Sequence, residues 1–172
     1  MFKLFGGTAN HTLSEEIAAS LNIPLSKAEI VRFGNSEVKV TIQDDVTDAV
    51  CAVIQPTSNP TDTNIMELLF FADALKRSEA KKVIAIIPYF GYARQNAQHR
   101  AGECVSMAVV TKMLESVGIE EIIVSTLHEE ASAGMFSTPF KNTNGLTVLV
   151  DPIKSYLQSH NISSEIAKYV VS

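Results

Sequence analysis

Apolar residues fall into short runs of two kinds along this chain, and the two kinds alternate. Val83-Ile84-Ala85-Ile86-Ile87 is β-branched or small with no polar interruption, the pattern of a central strand covered on both faces. Phe2-Lys3-Leu4-Phe5, Ala49 to Gln55 and Glu121 to Thr126 read as further strands. Segments of helical period lie between them. Leu13, Ile17 and Leu21 recur every fourth residue until Asn22-Ile23-Pro24 breaks the pattern, and Thr12 with Glu15 has the spacing of a capping box at its start. Ile65, Leu68, Leu69, Ala72 and Leu75 mark a second helix from about Asn64 to Arg77, ending on Lys76-Arg77, where the helix dipole favours cations. A third begins near Cys104, turns Val109, Met113, Leu114 and Val117 inward, and stops at Gly118.

Ala28 to Phe33 and Glu37 to Ile42 read as a hairpin about Gly34-Asn35-Ser36 with one solvated face, because Val38, Val40 and Ile42 alternate with Lys39 and Thr41. Met135 to Leu146 has no clear period and reads as loop. Asp151-Pro152 starts another helix, and Glu165 to Val171 returns to strand character. Strands alternating with helices at this pitch predict an α/β layered domain with a largely parallel central sheet flanked by helices and a β-hairpin.

A chain of 172 residues with 46% hydrophobic and 19% charged content fits one globular domain with one core. Its 14 basic and 19 acidic residues are interspersed and leave a net charge of -5, which argues against a nucleic-acid or membrane surface. Cys51 and Cys104 lie far apart without a CxxC partner. With no recognisable signal segment or membrane-spanning run, they predict free thiols and a cytoplasmic setting.

Chemistry concentrates where the central strand ends. After Pro88 the chain continues Tyr89-Phe90-Gly91-Tyr92-Ala93-Arg94-Gln95-Asn96. Three aromatics, a glycine and an Arg-Gln pair at a strand end predict a ligand-binding loop. An isolated Arg-Gln pair is ordinarily solvated surface, and the aromatics suit packing or subunit contact as well as nucleotide stacking. No GxGxxG or Walker loop supports an unrelated nucleotide-binding domain.

Several motifs together carry a family signature: Arg32-Phe33, Gln55-Pro56-Thr57-Ser58, Met66-Glu67-Leu68-Leu69, Asp73-Ala74-Leu75-Lys76-Arg77, Ile87 to Gln95, and Leu127-His128. The set resembles ribose-phosphate pyrophosphokinase (phosphoribosyl pyrophosphate synthetase), in register from Phe2 to about Val171. It covers the N-terminal half of that family's chain, so residues 1–172 are expected to form one N-terminal domain. The family's second domain, with the catalytic basic loop and the ribose 5-phosphate motif, is expected to lie outside these residues.

The resemblance implies an enzyme of two phosphoribosyltransferase-like domains that transfers diphosphate from ATP to ribose 5-phosphate with Mg2+, for nucleotide biosynthesis, as a homo-oligomer (dimer or hexamer). It implies ATP contact by Arg94, Gln95 and Asn96. Phe33, Asn35, Ser36 and Glu37 would reach the adenosine in a neighbouring subunit, and His128 would sit at the metal. No catalytic residue falls in this chain, which alone is expected to be inactive. Ribose 5-phosphate is a partner only where a second domain is present.

Departures accompany the matches. The family's Asp-Gly-Glu turn is here Asn35-Ser36-Glu37, the basic residues after Gln95 are reduced to Arg100, and Thr126 replaces an aspartate before Leu127-His128. These losses keep open a non-catalytic regulatory or assembly homologue beside the ATP-side domain.

Overall fold

The structure is a computed structural model that describes residues 1–125, 127, 130–143, 145 and 159. Its centre is a five-stranded, entirely parallel sheet in the order β1 (Phe2–Gly6), β4 (Val50–Ile54), β5 (Lys82–Ile87), β6 (Glu121–Ser125), β7 (Phe140–Thr143). The antiparallel hairpin of β2 (Ala28–Arg32) and β3 (Val38–Ile42) lies apart from it. Its Ile30, Val40 and Ile42 pack against the main core, leaving the expected solvated face.

The two faces of the sheet are covered unequally. On one, Phe5, Cys51, Val53, Val83, Ala85 and Ile87 pack under α2 (Thr61–Arg77) and α3 (Ser106–Ser116). On the other, α1 (His11–Leu21) places Ile17 and Ala18 against Leu4, Ala52 and Ile54. β5 is the middle strand, as expected. Only Val83, Ala85 and Ile87 are buried, however, while Ile84 and Ile86 on the α1 side are half-buried. Full coverage of both faces is therefore found at β4, where Cys51 to Ile54 are all buried. Burial also pushes the Cys51 thiol up despite Lys3 nearby, as for an inert core residue. Both thiols are free.

The start of α1 differs from the capping-box expectation. A 3-10 turn over Thr8–Asn10 carries the chain into the helix at His11, and Asn10 accepts from the Leu13 backbone N–H at 3.0 Å. Asparagine is as good a cap as threonine, and the preceding turn delivers it two residues earlier. Glu15 instead lies 3.3 Å from His11. Asn10→Ala should cost about 1 kcal/mol in a denaturant titration, whereas Thr12→Ala should stay within about 0.5 kcal/mol.

The turn after β1 is tied inward by its backbone. Gly7 donates to Ile54 O at 2.9 Å, Thr8 to Glu67 Oε1 at 2.7 Å and Ala9 to Gln55 Oε1 at 3.2 Å. A Cβ on Gly7 would fall 2.1 Å from Gln55 Oε1, so a side chain there would displace the group that receives the Ala9 N–H.

Phe140–Thr143 corrects the loop expectation for Met135 to Leu146, since it pairs with β6 as an edge strand. Its apolar anchor is tertiary: Phe140 stacks on Phe136 with centroids 4.1 Å apart, and Phe136 meets Phe90 edge-on at 5.6 Å. Glu115 on α3 holds the approach to this strand, accepting from the Ser137 and Thr138 backbones and the Thr138 hydroxyl. Burial alone would raise its pKa, but those hydrogen bonds outweigh it and hold the carboxyl below the usual glutamate value. Its stabilisation is thus complete above the ordinary value and drains away as pH falls through the lowered one. Thermal unfolding should show wild type above Glu115→Ala at neutral pH, with the gap closing as pH falls from the ordinary glutamate value through the lowered one.

The helix expected from Asp151-Pro152, the strand expected over Glu165 to Val171, and His128 lie outside the described residues.

Candidate functional site

The loop after β5 sits at the carboxyl ends of the parallel strands, where open α/β sheets bind ligands. There Arg94, Gln95, Tyr89 and Tyr92 line a cavity of about 540 Å³, closed on other sides by Thr61 of α2 and by Leu127. Apolar β5 is fixed by burial, so its last residues carry the loop on a rigid base.

Thr57 clasps the loop. Its backbone N–H donates to Tyr89 O at 2.8 Å and its hydroxyl donates to the same oxygen at 2.9 Å. That hydroxyl oxygen accepts from Gly91 N at 2.7 Å. Gly91 is needed for close approach, because a Cβ there would lie 2.6 Å from Thr57 O and 2.5 Å from Thr61 Cγ2.

Tyr92 follows with φ of 64°, a left-handed conformation that costs an aromatic residue energy. Its phenol donates to the Asp62 carboxylate in the first turn of α2. That hydrogen bond, with smaller help from burial and from the charge of Asp62, raises the Tyr92 pKa and keeps the phenol a donor. The strained turn is completed by Gln95 N donating to Tyr92 O at 2.8 Å.

The three aromatics divide. Phe90 is core, 5% exposed and packed on Phe136, whereas Tyr89 is 55% exposed at the cavity rim. Arg94 is exposed and forms no ion pair among the described residues. The Gln95 side-chain oxygen accepts from Ser106 Oγ at 2.6 Å, which ties the loop to the start of α3. Asn96 turns away, donating to the Ser132 hydroxyl at 2.9 Å. What the rim offers a ligand is a guanidinium without an ion-pair partner among the described residues, beside aromatic surface, a combination suited to an anion carrying a flat ring.

Phe33, Asn35, Ser36 and Glu37 line a different cavity, of about 520 Å³, with Arg32 and α2 residues including Asp62, Met66 and Phe70. The tip closes by Phe33 N donating to Glu37 O at 2.8 Å, Ser36 N to Phe33 O at 2.9 Å and Glu37 N to Asn35 Oδ1 at 3.2 Å. Ser36 has φ of 72°, where glycine would be unstrained. The fold thus brings Arg94 and Gln95 together and the four hairpin residues together. The two groups line separate cavities, with Asp62 reaching Tyr92 on one side and lining the hairpin cavity on the other.

Thr57, Thr61 and Asp62 had no role in the sequence reading. Thr57 and Gly91 stand 34 residues apart, and Asp62 and Tyr92 30 apart. The one local signal was the pairing of a threonine with the proline-rich segment after β4.

The family model for the N-terminal domain of ribose phosphate pyrophosphokinase matches residues 2–118. "Ribose-phosphate pyrophosphokinase 2, chloroplastic" of Arabidopsis thaliana is 39% identical over 163 residues, covering 95% of this chain and 40% of the relative. The ribose-phosphate pyrophosphokinase of Ralstonia nicotianae is 40% identical over 152 residues, 88% of this chain and 48% of the relative. The crystal structure of phosphoribosylpyrophosphate synthetase from Mycobacterium smegmatis superposes with a TM-score of 0.84 at 30% identity, covering 91% of this chain and 52% of that one. The chain spans about half the length of the curated relatives it matches.

Proposed function

The chain belongs to the family of the N-terminal domain of ribose phosphate pyrophosphokinase, and on that premise we propose that it supplies the ATP side and the oligomer contacts of a ribose-phosphate diphosphokinase. The complete enzyme of this reading moves diphosphate from ATP to ribose 5-phosphate. The observation that carries the ATP assignment is the exposed, unpaired Arg94 beside Tyr89 at the carboxyl end of the central strand. Arginine there neutralises phosphate charge, and the aromatic rim accepts the base. The hairpin group at Phe33, Asn35, Ser36 and Glu37 is the second nucleotide contact in this reading, offered to a neighbouring copy.

Magnesium enters the proposal with the nucleotide. Among the described residues no group of three or more His, Cys, Asp or Glu gathers, and magnesium that arrives with phosphates takes only one or two carboxylates from a protein. The metal role of His128 stands as a proposal outside the described residues. No described helix is long and apolar enough to cross a membrane, and the free thiols accord with a proposed cytoplasmic setting.

Calorimetry of the 172-residue chain with ATP should show weak, magnesium-dependent binding and no transfer to ribose 5-phosphate. Absence of heat at millimolar ATP and ADP would remove the binding assignment. A second reading, the non-catalytic assembly homologue, is favoured by Ser36 in a glycine-like conformation and by Asn96 turned toward Ser132. Diphosphate transfer by a longer chain carrying these residues, abolished by Arg94→Ala, would reject it.

A further inference from the structure

The hairpin tip is held from outside by one side chain. Arg32, the last residue of β2, donates Nη1 to Ser36 O at 3.3 Å and Nη2 to Glu67 Oε2 at 3.2 Å. One end of that bridge is an exposed turn. The other end is anchored, because the Glu67 side chain is 0% exposed in the body of α2.

Glu67 is saturated with donors. Besides Arg32 it accepts from Thr8 N at 2.7 Å, Thr8 Oγ1 at 2.6 Å and Gln55 Nε2 at 3.1 Å. It shares the inward stripe of α2 with Asn64, Leu68 and Phe71. A buried carboxylate is a poor source of net stability, since an apolar side chain of similar size is often as good or better. Four donors from β2, the β1 turn and the residue after β4 do something an apolar residue cannot: they fix the direction of the group that grips Arg32.

The tip needs that grip. Ser36 sits at φ of 72°, a conformation that persists for a non-glycine residue only when its surroundings impose it. Within the turn, the bonds that close it run among Phe33, Asn35, Ser36 and Glu37 themselves. Arg32 to Ser36 O is the bond that ties the strained residue to the core.

We propose that Glu67 is a positioning residue for nucleotide binding, setting through Arg32 the pose of the Phe33 to Glu37 turn. The ligand in this inference rests on the proposed function; the mechanical link rests on the geometry alone.

Glu67→Gln, Arg32→Met and the double variant, each in the full chain, test both parts. Hydrogen exchange of the Phe33, Ser36 and Glu37 amides should quicken by about tenfold in each single variant, the loss of roughly one charge-assisted bond. The double variant should exchange no faster than the singles, because the two residues act in series. Exchange along α1 should not change in Arg32→Met, whose side chain is 37% exposed in the parent. ATP affinity should fall by about tenfold in parallel, with Arg32→Lys recovering part of it.

Unchanged tip exchange in Arg32→Met, or additive effects in the double variant, would overturn the link. So would quickening along α1 equal to that at the tip in Arg32→Met. If wild type binds ATP and a loosened tip leaves affinity intact, the nucleotide role falls. If wild type binds no ATP, the functional reading fails, and exchange alone decides whether Glu67 positions the turn.

Discussion

Arg94→Ala is expected to weaken ATP binding by about tenfold to about a hundredfold while leaving the unfolding transition within about 0.5 kcal/mol of wild type. The asymmetry follows from placement. The residue is exposed and has no ion-pair partner among the described residues. Its removal therefore spares the fold. Against a bound triphosphate, one charge-assisted hydrogen bond is worth about 1.5–3 kcal/mol, which sets the range. Arg94→Lys should recover part of the affinity, since lysine restores charge without the planar two-pronged donor. Raising ionic strength should shrink the difference at so exposed a position. Titration calorimetry of the three proteins at two salt concentrations reads all of this. Equal affinities in wild type and Arg94→Ala would remove the loop from the nucleotide site.

The second large effect is expected at Gly91, and it acts through the fold. A methyl group there meets the backbone oxygen of Thr57 at 2.6 Å and Thr61 Cγ2 at 2.5 Å. The Thr57 backbone is held by its own bond to Tyr89 O and cannot easily give way. Gly91→Ala should therefore push the loop off its clasp and cost about 2 kcal/mol, the usual scale for forcing a methyl into filled space. Nucleotide binding should weaken with it, because Arg94 and Gln95 follow within four residues on the same displaced segment. Thr57→Ser, which keeps the hydroxyl that accepts from Gly91 N, should lose far less on both counts. Chemical denaturation paired with ATP titration separates the two variants. An alanine protein as stable as wild type would show that the clasp does not govern the loop.

Much of the layered fold was legible because its signals are local. The β5 run, the stripe on α2 and the Gly118 stop are all read within one segment, and Gly118 does adopt φ of 92° after α3. The hairpin was legible from alternation about a turn-forming trio. β7 was hidden because Lys141 and Asn142 interrupt its short span. It is held from elsewhere, with Asn142 Oδ1 accepting from Leu127 N at 3.0 Å and the Thr143 hydroxyl donating to Val124 O at 2.9 Å. The family was readable from motif order, and the comparisons agree with it. Within the candidate site, Arg94 and Gln95 stood out because charge abruptly follows an apolar run. Thr57, Asp62 and Glu67 did not, although the motifs containing Thr57 and Glu67 were recognised. Their partners lie a strand or more away, and a carboxyl inside an apolar helical stripe was the only local hint of Glu67.

The glycine turn after β1 invites comparison with phosphate-cradling loops, which bind through free backbone N–H groups. Here the successive N–H groups of Gly7, Thr8 and Ala9 are already given to Ile54, Glu67 and Gln55. This turn is a joint, and the proposed receptor surface lies two strands along the sheet. A library randomised across Gly7 to Ala9 should therefore be sorted by a screen for folded yield and left largely unsorted by nucleotide capture among its folded members. The same library built across Gly91 to Gln95 should answer to both screens, because that loop belongs to the core at one end and to the ligand at the other.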